Sequence, residues 1–484
     1  MRRKILLINL NTRWFGLKFW FDIPYGLCIL RAALKKDHQV RLLDANLLDL
    51  DEEGLMNTVR DYEPDVVGIS CLSMEYRKTL FRTARLVKKA RPFTPVVVGG
   101  IYPTLLPEEI VAEKSIDYIV MGEGEHRLPR LLDHLFDRSA PLEDIDGLVY
   151  RKGDRVVYQK TATYIENLDQ VPYPDYTDLD VGAYFGSATR YSYYTYPRRF
   201  PYVRTITSRG CPFRCIFCSS RAINGETIRY RSAGSVLGEI DELVGRYQVR
   251  EIIFLDDNLI LDRARITAIL KGLVERNYDL EWKSTSTAVY ALDGELLTLM
   301  RQSGCYQLTL AIEAGTQEAL RLIRKPLRLD KAREVVGAAK ALGFEIGGSF
   351  VFGLPGETWD QIRETFRFAE SLDIDYCAFN IATPLPKTEL YDICQKNGYL
   401  VHDFHFDDSR FNGFGMPNIV TPEFSPEELL VLRAFEWDRI NFKTPEKIAK
   451  IASMNGLTLE EVEKWRLNTR RNATRLIQGK LAAA

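Results

Sequence analysis

Three cysteines fall within eight residues of the stretch "SRGCPFRCIFCSS": Cys211, Cys215 and Cys218. A structural zinc site takes four protein ligands, usually as two pairs, and all five histidines, His38, His126, His134, His402 and His405, lie far from this loop. A C-x3-C-x2-C loop suits a cubane iron–sulfur cluster instead. Three thiolates hold three irons and leave the fourth free to coordinate something else. The expected chemistry is that of a metal site with one open position.

Such a loop has to be held by a scaffold, and the chain is long enough to build one. It has 484 residues, 46% of them hydrophobic and 27% charged, which is ordinary globular composition. At about 100–200 residues per domain that length makes several domains. No run approaches the roughly 18 apolar residues of a membrane span, and a net charge of −1 leaves no overall basic field for nucleic acid. The amino end, "MRRKILLINLN", enters a strand-like pattern without a cleavage site, and eight cysteines are too sparse for a disulfide scaffold. These features predict a cytoplasmic protein with no nucleic-acid partner and no membrane span. The last residues, 480–484, read as a vector-derived tail.

Over residues 1–140 short apolar runs alternate with helical patterns: "KILLINL", "VRLLDA", "DVVGIS", "PVVVGG" and "DYIVMG". The pattern predicts an α/β domain, a doubly wound parallel sheet of Rossmann-like type. Ligands on such sheets bind at the carboxyl ends of strands, where Ser70, Ser73, Gly99, Gly100 and Gly122 stand. The glycines read equally well as tight turns. Residues 141–195 read as a hairpin and linker, and the tyrosine-rich approach "YFGSATRYSYYTYPRRFPYVR" reads mainly as a packing surface between domains. From 196 to 420 a second alternation of six strand and helix units predicts a partial (β/α)6 barrel. Polar residues end its strands: Asp256, Asp257 and Asn258, then Ser284 to Thr287, Glu313, and Gly353 to Glu357. The cysteine loop follows the first strand and so belongs to the same mouth. Residues 421–479 read as a helical tail, one helix starting at a Ser425 cap with Glu428 three residues on. The tail either closes the barrel or covers the site.

With Phe217 directly before the last cysteine, the loop resembles that of the radical S-adenosylmethionine superfamily. The resemblance implies a [4Fe–4S] cluster on Cys211, Cys215 and Cys218 whose free iron chelates S-adenosylmethionine, and whose electron cleaves it to a deoxyadenosyl radical. An external electron donor such as flavodoxin or ferredoxin, and a small-molecule substrate, are then implied partners. "GGSFVFGLPGET" is similar to the fifth-strand motif, in which the backbone at Val351 and Phe352 would meet the adenine and Gly353 would permit close approach. "LAIEAG" resembles the fourth-strand motif with Glu313. "FLDDN" resembles the second-strand end, placing Asp256 and Asp257 toward cosubstrate or substrate; strand-end capping is the competing reading of these three carboxylates. "ATPLPKTELY" resembles the sixth-strand adenine contact, with Lys387 where a glycine is common. Relatives often carry an arginine near Ala288 or Val289 for the cosubstrate carboxylate; here Ser284 and Ser286 are the nearest polar candidates.

The first domain looks like the cobalamin-binding domain that precedes the barrel in one branch of this superfamily, carried by "DVVGIS", "VVVGGIYPTLLPEEI" and "DYIVMGEGE". The D-x-H-x-x-G segment that supplies a cobalt-ligating histidine in cobalamin mutases is absent, the loop after the first strand reading "NTRWFGLKFWF". Bound cobalamin would set its lower face on the Ser70 to Glu75 loop and its nucleotide tail near Gly99, Gly100 and Gly122. The resemblance favours a cobalamin-dependent methylase of an unactivated carbon. The alternatives are a cobalamin-independent radical dehydratase, eliminase or rearrangement enzyme acting on a sugar or other natural-product intermediate, and an iron–sulfur binding or electron-transfer module. His402 and His405 read as a surface turn, and "RFNGFGMPN" as either a lid or a simple turn.

Overall fold

The five apolar runs of the first domain become five parallel strands: β1 (Lys4–Asn9), β2 (Gln39–Asp44), β3 (Val66–Ser70), β4 (Val96–Gly99) and β5 (Tyr118–Val120), in spatial order β2-β1-β3-β4-β5. The computed structural model describes residues 2–15, 22–137, 139–161, 163–177, 179–187, 190–402, 404–405 and 417–481. In β1 the run Ile5 to Ile8 is buried throughout, as expected where helices cover both faces of a sheet. The helices are α1 (Tyr25–Leu34), α2 (Glu52–Tyr62), α3 (Arg77–Ala90), the short α4 (Ile101–Leu105) and α5 (Pro107–Val111), and α6 (Gly124–Asp137). Local sequence sets their ends. Asp51 caps α2 by accepting from Gly54 N–H at 2.7 Å, with Glu52 and Glu53 in the first turn, and Glu63 ends the helix at φ 51°.

The sheet runs past residue 140, where the sequence places a boundary. The predicted hairpin forms, as β6 (Leu148–Lys152) and β7 (Arg155–Tyr158), but it adds antiparallel to β5 and extends the same sheet. The buried guanidinium of Arg127 then fastens the following chain, donating to the Asp146 carboxylate at 2.7 Å and to Thr163 O at 2.6 Å. Farther on, Asp175 pairs with Arg31 at 3.5 Å, both side chains buried. The first compact unit is therefore Met1–Ser187, together with Ser220–Arg231, which carries α7 (Ser220–Asn224).

The second unit is Ala188–Ser219 with Ser232–Ala484. Its six strands, β8 (Tyr202–Thr205), β9 (Glu251–Phe254), β10 (Glu281–Ser284), β11 (Cys305–Glu313), β12 (Glu345–Phe352) and β13 (Tyr376–Ile381), lie in sequence order and all pair in parallel. This is a partial (β/α)6 barrel. The helices after its strands are α8 (Ala233–Tyr247), α9 (Arg263–Arg276), α10 (Gly294–Gln302), α11 (Gln317–Leu322) with α12 (Leu329–Ala341), α13 (Trp359–Leu372) and α14 (Glu389–Asn397). The tail forms α15 (Pro426–Asn441), α16 (Pro445–Met454) and α17 (Leu459–Leu481). The Ser425 and Glu428 capping box is present: Glu428 accepts from Ser425 N–H at 2.7 Å and Ser425 from Glu428 N–H at 3.3 Å. Helix α15 covers the open edge at β13. Asn441 accepts from Cys377 N–H at 2.7 Å and donates to Cys377 O at 2.9 Å, while Arg433 donates to Phe379 O at 2.7 Å. Edge groups that would otherwise invite another strand are thus satisfied.

Several tyrosines of the approach segment serve as the barrel's floor rather than as a surface between domains. Tyr193 is buried among the amino ends of the strands, its ring against Gly347 and 4.9 Å from that of Tyr376. Below it the buried Lys283 ammonium donates to Tyr193 O at 2.8 Å and Tyr196 O at 2.5 Å. Glu251 accepts from the Tyr306 hydroxyl at 2.7 Å and from the backbone N–H groups of Arg198 and Arg199. The amino ends of the strands are thus packed shut, and the cysteine loop lies at their carboxyl ends.

Candidate functional site

The cysteine loop leaves β8 and is held from several sides. Asp256, just past β9, is buried and spends its carboxylate on the turn that leads into the loop. It accepts from Thr207 N–H at 3.1 Å on each oxygen, from the Thr207 hydroxyl at 2.7 Å and from the Ser208 hydroxyl at 2.6 Å. Burial raises its carboxyl above the usual range, against these bonds. Asp256 therefore places the loop, whereas its neighbour Asp257 is exposed. Asn258 is buried and donates to Cys211 Sγ at 3.0 Å. The loop's own turn is closed by Cys218 N–H on Cys215 O at 3.1 Å, and Phe213 meets Tyr290 edge-on at 5.2 Å.

Among the other expected residues at this mouth, Glu313 ends β11 at φ 75° and pairs with Lys325 Nζ at 3.2 Å. That left-handed conformation is unusual for a residue with a side chain and is held here by its surroundings. Ser284 is buried and donates its hydroxyl to Ser286 O at 2.8 Å. Ser286 and Phe217 are half-buried. Val351 and Phe352 are buried, Phe352 O accepting from Ala382 N–H at 2.8 Å. Gly353 has φ 81°, and a Cβ there would stand 2.7 Å from a Leu429 methyl, so the close approach at this glycine is made by α15. Beyond it the "GLPGE" turn closes on the buried Glu357, which accepts from Gly353 N–H at 2.7 Å and Leu354 N–H at 3.1 Å.

In the first unit the expected residues share one sheet edge. Ser70 is in register with Gly99, and Gly99 with Val120, so the ends of β3, β4 and β5 are neighbours. Ser73 caps a short turn by accepting from Glu75 N–H at 3.4 Å. Gly100 has φ 105°, and a Cβ on it would meet Cys71 O at 2.6 Å; Gly122, at φ 66°, donates its N–H to Thr104 Oγ1 at 2.8 Å. At this carboxyl end of the sheet the three glycines pack against the chain itself, since a Cβ on Gly99 would stand 3.3 Å from Val120 O and one on Gly122 3.3 Å from the Arg127 guanidinium. Cys71 is buried beneath it, its thiol donating to Ser73 O at 3.3 Å and pushed up to about 12 by burial. His402 and His405 are exposed, and most of "RFNGFGMPN" lies outside the described residues.

A family model for the B12 binding domain matches residues 23–132, and one for the radical SAM superfamily matches residues 205–369. An uncharacterized methyltransferase of Pyrococcus horikoshii is 31% identical over 379 residues, 78% of this chain and 80% of its own length. The chain belongs to the radical S-adenosylmethionine superfamily, in its branch with a B12-binding domain. The cytidylyl-2-hydroxyethylphosphonate methyltransferase of Streptomyces wedmorensis is 26% identical over 450 residues, 82% of this chain and 83% of its own. The structure of the radical S-adenosylmethionine methyltransferase TsrM from Kitasatospora setae, with cobalamin and a [4Fe–4S] cluster bound, superposes with a TM-score of 0.74 at 18% identity. That superposition covers 98% of this chain and 100% of that one, and shows a shared fold.

The residues present fit both groups of this radical SAM branch. A cubane needs thiolates spread over three irons rather than converging on one ion. Among the described residues no three His, Cys, Asp or Glu side chains are gathered to hold a metal ion, and the three thiols lie along one loop with a donor already on Cys211. For cobalamin, the neighbouring carboxyl ends of β3, β4 and β5 bring Ser70, Gly99, Gly100 and Gly122 together where ligands of such parallel sheets bind. Sequence reading misses two residues here. Asn258 was visible only as a polar strand end, and its bond to Cys211 depends on the register of β9 beside β8. Lys325 carries no signal in its spacing. Among the described residues, no helix is long and apolar enough to cross a membrane.

Proposed function

We propose that the protein is a cobalamin-dependent radical SAM methylase acting on an unactivated carbon of a small molecule in the cytoplasm, with a flavodoxin or ferredoxin as electron donor. The observation that carries this reading is the pairing, in one chain, of a C-x3-C-x2-C loop at the strand ends of a radical SAM barrel with a B12-binding parallel sheet whose carboxyl end brings Ser70, Gly99, Gly100 and Gly122 together. The names of the Pyrococcus and Streptomyces relatives support methyl transfer over elimination.

When bound, the cluster supplies the electron that cleaves S-adenosylmethionine to a deoxyadenosyl radical, and cobalamin supplies the methyl group. The chain's own residues bind, orient and shield. Cys211, Cys215 and Cys218 would hold the cluster, Asn258 orients the Cys211 thiol, and Asp256 fixes the turn that presents all three. The backbone of Val351 to Leu354, with Ser286 and Glu313, would take the cosubstrate. Glu357 holds the Gly353 and Leu354 N–H groups inward, which fixes the course of that strand end. Ser70, Ser73, Gly99, Gly100 and Gly122 would seat the cobalamin.

The test uses anaerobically purified full chain with its cluster rebuilt, mixed with hydroxocobalamin and desalted. The expected result is stoichiometric cobalt, with deoxyadenosine formed from S-adenosylmethionine under dithionite. Cys215→Ala should lose both cluster and cleavage while keeping cobalt. Cleavage without retained cobalt would replace methyl transfer by cobalamin-independent radical chemistry, and retained cleavage in Cys215→Ala would remove the radical reading altogether.

A further inference from the structure

The middle of the cysteine loop is clamped between two helices. Ile216, buried between Cys215 and Cys218 in sequence, donates its N–H to Ile323 O at 3.4 Å, just past α11, and accepts at its own carbonyl from Leu390 N–H at 2.9 Å, in the first turn of α14. Immediately after Ile323 the chain turns through Arg324 at φ 58°. The two basic side chains that follow diverge. Arg324 forms a bidentate pair with Glu389 at 2.7 and 2.5 Å on the exposed side, closing the clamp. Lys325 goes inward: its Nζ is 3.2 Å from Glu313 Oε1, with side chains only 12% and 9% exposed, and its N–H is fixed on Leu320 O at 2.8 Å.

This ion pair stands beside the cysteine loop, because Lys325 follows by two residues the Ile323 carbonyl that holds Ile216 N–H between Cys215 and Cys218. The Lys325 charge acts on both Cys215 and Cys218, and at Cys215 it opposes the effects of burial, Glu313 and Cys211. In a site shielded from water such charges act strongly over short distances. A cluster on three thiolates becomes more negative when it takes an electron, and its potential follows nearby charge and burial.

We infer that Lys325 sets how readily the cluster accepts its electron, with Glu313 as the opposing charge that also fixes the ammonium in place. The inference rests on the cluster reading of the loop and is independent of whether cobalamin binds. Removing the ammonium leaves the Glu313 carboxylate unpaired beside the cluster, so both changes disfavour reduction. Removing the carboxylate charge leaves the ammonium unopposed and favours it. A purely structural pair makes a different prediction, since both losses would then reduce loading and neither would move the potential of the molecules that still load.

The experiment is a mediated dithionite titration of the rebuilt full chain, followed by the electron paramagnetic resonance of the reduced cluster, with iron and sulfide quantified in each sample. Lys325→Gln at wild-type iron content should make reduction about tenfold less favourable, a shift of about 59 mV to lower potential for a one-electron couple. Lys325→Arg should restore the wild-type value, and Glu313→Gln should shift it the opposite way. A fully loaded Lys325→Gln at unchanged potential overturns the inference. If Lys325→Gln fails to load, Glu313→Gln decides: a shift to higher potential sustains the inference, and no shift or a lower one overturns it. Wild-type protein that takes up no four-iron cluster would overturn the underlying reading and this inference with it.

Discussion

Glu357 shows how a single side chain can tie the site to pH. It is buried, one oxygen holds the Gly353 and Leu354 N–H groups, and the other, Oε1, has no hydrogen-bond partner among the described residues. Burial, against those two backbone bonds, pushes its carboxyl up to about 7 from an ordinary 4.5. The folded state thus prefers the protonated acid. Its contribution to stability is complete below about pH 4.5 and is lost as pH rises through 7. Glu357→Gln should flatten the stability profile across that window, removing a dependence of roughly 3 kcal/mol, measurable by urea unfolding at a series of pH values. Lys387 makes a second residue-scale case. Its φ of 59° lies in the left-handed region, which costs a residue with a Cβ. Lys387→Gly should therefore stabilise the protein by roughly 0.5–1 kcal/mol, read as a rise in Tm. The cysteines were legible in the sequence because their spacing is itself the ligand geometry. Asn258 and Lys325 were not, because their relation to the thiols is made by strand register and by a turn after α11.

Elements were legible wherever periodicity and caps spoke for themselves. All eleven predicted strand runs formed, and so did the Ser425 capping box. What failed was the inference from an element to its neighbour. The hairpin at Leu148–Tyr158 has ordinary hairpin sequence, and nothing local says that it pairs with β5 instead of standing in a linker. Likewise the tyrosines before β8 read as a packing surface between domains until Gly347 is seen to leave room for the Tyr193 ring. The same kind of close approach governs the β4 to α4 turn. At Gly100 the φ of 105° and the Cys71 carbonyl only 2.6 Å from the position of a Cβ exclude any side chain. Gly100→Ala must shift the backbone of the loop between β3 and α3, costing about 2–4 kcal/mol from strain and overpacking together. Cobalt retained after desalting should fall while iron content stays at the wild-type level, because the cysteine loop belongs to the other unit. Unchanged cobalt would mean that this turn does not seat the cofactor.

At the scale of the whole molecule, the chain leaves the second unit after Ser219, folds with the first from Ser220 to Arg231, and returns at Ser232. Sequence reading places this segment wholly in the barrel of residues 196–420, since it begins two residues past the last cysteine. Its anchor is a buried ion pair: Arg229 donates to Glu123 Oε1 at 2.7 Å and to Ile165 O at 2.8 Å, with side chains 9% and 5% exposed, and its guanidinium lies 4.9 Å from the centre of the Tyr164 ring. Glu123 in turn accepts from Ile165 N–H at 2.7 Å, so the pair also fixes the chain beyond the hairpin. Leaving one buried charge without its partner typically costs about 3–5 kcal/mol, so Arg229→Ala should destabilise the first unit by that amount, seen in urea unfolding. The consequence reaches further by covalent connection alone. Cys218 is two residues from Ser220, and release of the segment frees the carboxyl side of the cysteine loop while Asn258, Asp256 and the Ile216 clamp still hold the rest. Arg229→Ala should therefore load iron but lose it faster to a chelator than wild type, although Arg229 touches no cysteine. Glu123→Gln, which keeps a hydrogen-bond acceptor for the guanidinium, should show a smaller loss. Equal chelation rates in wild type and Arg229→Ala would mean that the loop is held by the second unit alone, and that the excursion of the chain through the first unit serves only the stability of that unit.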